Sequence, residues 1–162
     1  MRLDRLSRAF TYLVFALLFA SGALWFIADR NKDPLGGGPW QDFAASVLMV
    51  HGGLAMITLL LLGALIPMHI LRAWRARLNL VTGIAIAFFN AVLVGTAFGL
   101  YYLGSEELRP WISLVHLGFG LALPALFLAH VLIGRHLAKK RLRALAKPEH
   151  AAMPASRKVR AA

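Results

Sequence analysis

The chain has 162 residues, of which 59% are hydrophobic, and its mean hydropathy is +0.67. Such an apolar composition excludes an ordinary soluble domain. The formal net charge is +11, but no nucleic-acid recognition motif accompanies it, so we expect no nucleic-acid partner. The chain has no cysteine, which excludes disulfides, thiolate zinc sites, iron–sulfur clusters and covalently attached c-type haem within it.

Four apolar segments are long enough to cross a bilayer, since a spanning helix needs about 20 mostly apolar residues. They cover residues 9–28, 43–70, 80–103 and 111–134. The first is expected to be a helix and not a cleaved signal peptide, because Trp25, Phe26 and Ile27 stand where small residues would be needed. The sequence therefore predicts an all-α, four-helix integral membrane bundle over residues 9–135. A short lead (1–8) precedes it, and a basic, partly disordered tail (136–162) follows it.

Basic residues concentrate on one side of this four-pass arrangement. The lead, the loop after the second segment and the stretch from Arg135 to Arg160 hold 15 of the 18 Lys and Arg residues. The other side holds Arg30, Lys32 and Arg109 with five of the seven acidic residues. The positive-inside rule then predicts that both termini lie in the cytoplasm. The basic tail is interpreted as a topology signal and a contact for anionic membrane lipid.

Four of the six histidines lie within or at the edge of the predicted spans, where ionisable residues are costly and usually functional. His51 and His69 are 18 residues apart, which is five helical turns, and His116 and His130 are 14 apart, about 40° short of four turns. Each pair therefore shares one face of its helix. Because the second and fourth segments run in the same direction, equal depths match His51 with His116 and His69 with His130.

Two histidine pairs stacked across a bilayer favour two haem irons, each held by an imidazole on either face. The spans contain no carboxylate or thiol at membrane depth, so another metal cage fits less well, and two histidines alone make a poor zinc site. The competing interpretation is that each histidine is a polar packing contact. His69 fits the pairing least well, because its spacing from His51 is longer by 4 residues, or about 6 Å. A tilted haem or a kink at Pro67 would absorb the difference.

The stretch from His51 to Arg135 resembles bacterial four-helix di-haem cytochromes b, including cytochrome b561-like and flavinylation-associated cytochromes. The resemblance implies two non-covalent b haems, a place in the bacterial plasma membrane, and electron exchange with a quinone or a partner redox protein. It is carried by these motifs: His51-Gly52-Gly53, Pro67-x-His69, Trp74-Arg75-x-Arg77-x-Asn79, Leu100-Tyr101-Tyr102, Arg109-Pro110-Trp111, His116-x-Gly118 and His130-x-x-x-Gly134-Arg135.

Three arginines near the ends of the spans are candidates for the anionic haem propionates. Arg109 would serve the outer haem, and Arg72 and Arg135 the inner one. Plain interface anchoring is the alternative for all three. In the middle of the spans, Thr58 and Asn90 are expected to hydrogen-bond across helices.

The leading hypothesis is transmembrane electron transfer by a di-haem b-type cytochrome, between the quinone pool and a partner redox protein. The chain would then be an electron carrier within a respiratory oxidoreductase system and not a complete enzyme. One alternative is a haem-free structural or assembly subunit of a larger membrane complex. Another is a small transporter, which is disfavoured because no broken-helix pair marks a midplane site.

Overall fold

The computed structural model describes residues 5–77 and 79–146. This part of the chain is all α-helical, and its helices are α1 (Arg5–Arg30), α2 (Pro39–Leu65), α3 (Leu71–Arg75), α4 (Leu80–Tyr102) and α5 (Leu108–Leu145). A π-helical turn, Ile66–Ile70, joins α2 to α3, so that Pro39–Arg75 form one continuous rod. Pro67 lies inside this turn. Since proline has no backbone N–H, it cannot make the usual bond to the carbonyl four residues before it.

Four of the described helical stretches are long and apolar enough to cross a membrane, which confirms the predicted class of fold. Each predicted span lies within an observed helix to within one residue, but most of the helices are longer. α1 already includes Arg5, inside the predicted lead, and α5 continues through Leu145 into the predicted basic tail. The rest of that tail, residues 147–162, lies outside the described residues.

The helices pack as two hairpins. α1 lies along α2, and α4 lies along α5, whereas contacts between the hairpins are few and mainly join α1 to α5. At one such contact the Phe15 ring stacks on the Phe127 ring with centroids 5.5 Å apart. One end of the molecule carries Arg5, Arg8, the Arg72–Arg77 segment and Arg135, and we call it the basic end. The opposite end carries the 31–38 and 103–107 loops, and we call it the acidic end.

Few side chains are buried in the described bundle, and none of the large ones is fully enclosed. The buried polar residues include Thr58 and Asn90. The expectation that these two would bond across helices is wrong. The Thr58 hydroxyl donates to the Leu54 carbonyl, and the Asn90 amide donates to the Ile86 carbonyl, so each side chain satisfies itself one turn back on its own helix.

Candidate functional site

The four histidines of the spans face one another in two pairs between the hairpins. His51 on α2 and His116 on α5 have ring centroids 6.4 Å apart and ring planes at 82°. His69 in the π-helical turn and His130 on α5 also have centroids 6.4 Å apart, with planes at 79°. We call His51–His116 the acidic-end pair and His69–His130 the basic-end pair. The structure thus brings together the same residues that helical phase and depth match in the sequence.

The separation of the rings can be compared with that of two imidazoles on one metal ion. Imidazole nitrogens bind ions such as zinc at about 2.0–2.1 Å. Because each nitrogen is about 1.1 Å from its ring centroid, two imidazoles whose nitrogens point at one ion from opposite faces would have centroids about 6.2–6.4 Å apart. Among the described residues, no hydrogen bond joins the two rings of either pair. The rings of each pair therefore lie close together without a direct hydrogen bond between them.

His51 is anchored to the neighbouring helix α1. Its Nδ1 lies 3.1 Å from the Leu18 carbonyl oxygen and 3.0 Å from the Ser21 hydroxyl oxygen. The hydroxyl of Ser21 donates to the same carbonyl at 2.9 Å. A carbonyl oxygen can only accept, so Nδ1 carries the proton. In the neutral ring this leaves the lone pair on Nε2, the nitrogen that is free to bind a metal.

His116 is anchored in the same manner to α4. Its Nδ1 lies 2.8 Å from the Thr96 hydroxyl oxygen. The Thr96 hydroxyl directs its own proton to the Val92 carbonyl at 2.8 Å, so its oxygen accepts from the imidazole. The lone pair of this ring is again on Nε2. Both histidines of the acidic-end pair are half-buried and held by an outer hydrogen bond, which is the usual support of a metal-bound histidine.

His130 has the most extensive support of the four. Its Nδ1 lies 2.8 Å from the Thr82 hydroxyl, which itself donates to the Asn79 side-chain oxygen at 2.7 Å. The Asn79 amide nitrogen donates to the His130 carbonyl at 3.0 Å and also lies 3.2 Å from Nδ1 of the ring. Asn79 immediately precedes α4 with a left-handed φ of 49°, a conformation that asparagine adopts more readily than most residues. The start of α4 is thereby fixed to the ring and to the backbone of His130.

His69 differs from the other three. Its side chain is exposed, and its imidazole makes no hydrogen bond within the described part of the chain. The centroid of the His69 ring nevertheless lies 6.4 Å from that of His130, the same distance as between His51 and His116. The π-helical turn at Pro67 therefore accommodates the 18-residue spacing that made His69 the least regular member of the predicted set.

The hydroxyls that anchor α5 were missed by sequence reasoning. Thr82 and Thr96 are 14 residues apart, the same spacing as His116 and His130. Because α4 and α5 are antiparallel neighbours, equal spacing places one threonine beside each histidine. This matched spacing was present in the sequence and would have identified the pair. The role of Ser21 had no comparable signal, since serine is a common packing residue in membrane helices.

Glycines provide both close contact and open space around the rings. An added Cβ at Gly22 on α1 would lie 3.0 Å from Cε1 of His51, so this glycine lets the ring lie against α1. By contrast, a Cβ at Gly52, Gly53 or Gly118 would meet nothing within 4 Å. These three glycines are exposed, so their positions on the helices of the acidic-end pair are uncovered in the described bundle.

The three arginines predicted to meet haem propionates are all exposed. In the described part of the chain, Arg72, Arg109 and Arg135 form no ion pair, since the only salt bridge joins Lys32 to Asp29. Arg135 lines a cleft of about 250 Å³ at the basic end together with Arg5, Arg8 and Tyr12. The side chains are thus free to meet an anion, and their role at a propionate stays a prediction.

No group of three or more histidine, cysteine or carboxylate side chains able to hold a metal occurs among the residues that the structure describes. Within the described part of the chain, each site therefore presents two histidines. This donor set suits a metal whose remaining positions are filled by a macrocycle, and it does not suit a bare ion.

Comparison of the chain with protein-family models, with curated proteins and with solved structures finds no match. The fold and the site therefore define the chain only as a multi-pass, four-helix membrane protein with two facing histidine pairs. The resemblance to di-haem cytochromes b rests on the sequence motifs alone.

Proposed function

We propose that this protein is a di-haem b-type cytochrome that carries electrons across the bacterial plasma membrane. The observation that carries the proposal is the pair of histidine sites with the same 6.4 Å ring separation, one toward each end of the bundle. The histidines of α5 lie 14 residues apart, so the two sites are separated by about 21 Å along that helix. With one haem at each of these depths, an electron would cross the bilayer in several short transfers and not in one long transfer.

In this proposal the bound haems supply reversible one-electron chemistry, and the protein holds and orients them. His51 and His116 hold the acidic-end site, and His69 and His130 hold the basic-end site. The Nδ1 hydrogen bonds of His51 and His116 would direct Nε2 of these two rings toward the iron and increase their basicity. Between the two levels, Phe89 and Phe119 pack with centroids 4.6 Å apart and fill the space between α4 and α5 with apolar surface.

The partners are proposed from the resemblance and from the distribution of charge. The quinone pool and a partner redox protein are the expected donor and acceptor, since the chain has no visible substrate-oxidising chemistry of its own. The basic end faces the cytoplasm in this proposal, with both termini inside. Arg72 and Arg135 would then meet the propionates of the inner haem, and Arg109 those of the outer haem.

A haem-free structural role in a larger membrane complex is the second candidate. The observation in its favour is that three of the four histidines already bond to a neighbouring helix, as packing contacts would. It does not explain why the rings of each pair stand 6.4 Å apart without bonding to each other.

The purified protein distinguishes the two candidates by its absorption spectrum. We expect reduced-minus-oxidised bands of b haem and two haems per chain. His51→Ala and His116→Ala should each diminish the same haem, and His69→Ala and His130→Ala should diminish the other. His136→Ala is the matched control, because His136 is exposed on α5 outside both pairs. A colourless but fully folded protein would exclude the cytochrome and favour the structural subunit.

A further inference from the structure

The four candidate ligands are not held equally. His51, His116 and His130 are half-buried, and the Nδ1 of each lies within hydrogen-bond distance of a polar group on or next to a neighbouring helix. His69 is exposed and has no such partner among the described residues. The acidic-end pair therefore has two anchored rings, whereas the basic-end pair has one.

His69 lies in a different setting from His51. The partners of His51 come from α1, at Leu18 and Ser21. His69 lies 18 residues further along the α2 rod, in the π-helical turn. The backbone around His69 is also irregular, since Leu71 donates to the Ile66 carbonyl five residues before it. Such π-helical turns are often found at functional sites.

Resting on the proposed function, we infer that His69 is a displaceable ligand, and that the basic-end site admits a small neutral molecule in its place. A ring without an outer hydrogen bond regains its freedom of rotation when it leaves the metal, whereas an anchored ring stays in position to bind again. Because loss of one such contact lowers the affinity of a metal site by about 10- to 100-fold, His69 should leave about 10 to 100 times more readily than His51.

If the basic-end pair holds a haem, the exchange would be a substitution without electron transfer. His69 would give up its bond from Nε2, the incoming molecule would donate a lone pair in its place, and the neutral imidazole would keep its Nδ1 proton. His130 would remain as the other protein ligand, because Thr82 and Asn79 fix its ring and its backbone. A neutral diatomic gas is the class of ligand, because it is small enough to take the place of one side chain and donates a lone pair without gaining or losing a proton.

Carbon monoxide is the probe for this inference, used with the dithionite-reduced, purified full chain. We expect carbon monoxide to bind one of the two haems. The rate should saturate as its concentration rises, because departure of His69 becomes limiting. In His69→Ala the same single haem should bind, about 10 to 100 times faster at high concentration, with a rate that stays proportional to concentration. His136→Ala should behave as the wild type does.

Two results would overturn the inference: two haems that both fail to bind carbon monoxide, or a binding rate that is unchanged in His69→Ala. Each of these leaves the cytochrome proposal intact. A folded wild-type protein without haem would contradict the cytochrome itself. If His69→Ala does not fold, the wild-type protein alone still tests the inference, because its rate of carbon monoxide binding should saturate as the concentration rises.

Discussion

The Thr96 hydroxyl oxygen on α4 lies 2.8 Å from Nδ1 of His116 on α5, and the hydroxyl proton is directed away, to the Val92 carbonyl. The threonine therefore accepts from the imidazole. This relationship fixes the His116 ring and leaves its Nε2 unprotonated in the neutral state. A threonine hydroxyl also lies 2.8 Å from Nδ1 of His130, between Thr82 and the second histidine of α5. The α4–α5 hairpin thus holds both of its histidines, His116 and His130, beside threonines of α4. In the proposed function, the α1–α2 hairpin supplies the second histidine of each pair.

The Thr96 hydroxyl can be removed with little change of shape. We expect Thr96→Val to weaken retention of the acidic-end haem by about 10- to 100-fold. The midpoint potential of that haem should rise, because a less basic imidazole stabilises the ferric state less. Thr96→Ser keeps the hydroxyl and is the matched control. Redox titration of both variants checks the prediction, and an equal shift in both haems would count against it.

Gly22 permits the close approach of His51 to α1. An alanine there would place its Cβ 3.0 Å from Cε1 of His51, so the ring must move away from the Leu18 carbonyl. We therefore expect Gly22→Ala to reduce occupancy of the acidic-end haem and to leave the basic-end haem unchanged. Gly63→Ala is the control, because an added Cβ there meets nothing within 4 Å. Haem-to-protein ratios that are the same in the two variants would refute this role for Gly22.

Asn79 combines a left-handed backbone with two hydrogen bonds that support His130. Asn79→Gly keeps the backbone conformation accessible and removes the side chain. Each lost hydrogen bond is worth about 1 kcal/mol, so we expect selective weakening of the basic-end haem. Spectral titration with haem measures it. Asn79→Asp, which retains the oxygen acceptor for Thr82, should be affected less, and the reverse order would be inconsistent with the proposed contacts.

The absence of cysteine makes membrane orientation directly testable. Single cysteines at Leu35, in the acidic-end loop, and at Ala76, in the basic-end loop, occupy exposed positions. We expect a membrane-impermeant maleimide added to intact cells to label Leu35→Cys and not Ala76→Cys. Labelling of both after the membrane is broken is the control for accessibility. The opposite pattern in intact cells would reverse the proposed topology.

The fold could largely be predicted from the sequence because span length and hydropathy depend on composition over about 20 residues. Helix ends were harder to place. α1 and α5 extend into charged sequence, at Arg5 and beyond Arg135, where hydropathy falls although helical hydrogen bonding continues. Thr58 and Asn90 could not be assigned for a related reason. A short polar side chain can bond to its own helix or to a neighbour, and only the packing decides which.

Helical periodicity predicted which histidines share a helix face, but it did not predict their hydrogen-bond partners. Residues on one helix face are related by fixed angles, so His116 and His130 could be placed together from their spacing. The anchoring partners depend on how two different helices lie against each other. For His51 the partner is a backbone carbonyl, that of Leu18, and no side-chain pattern identifies it. The π-helical turn that brings His69 to His130 is likewise a local response to Pro67 which helical phase alone does not contain.

Electron paramagnetic resonance of the oxidised, purified protein tests the central claim most directly. Two haems, each held between imidazoles whose planes are nearly perpendicular, at 82° and 79°, should give low-spin ferric signals of large g anisotropy. Their combined intensity should correspond to two haems per chain. A folded protein with no haem signal, or with only high-spin iron, would contradict the assignment of the two histidine pairs as haem ligands.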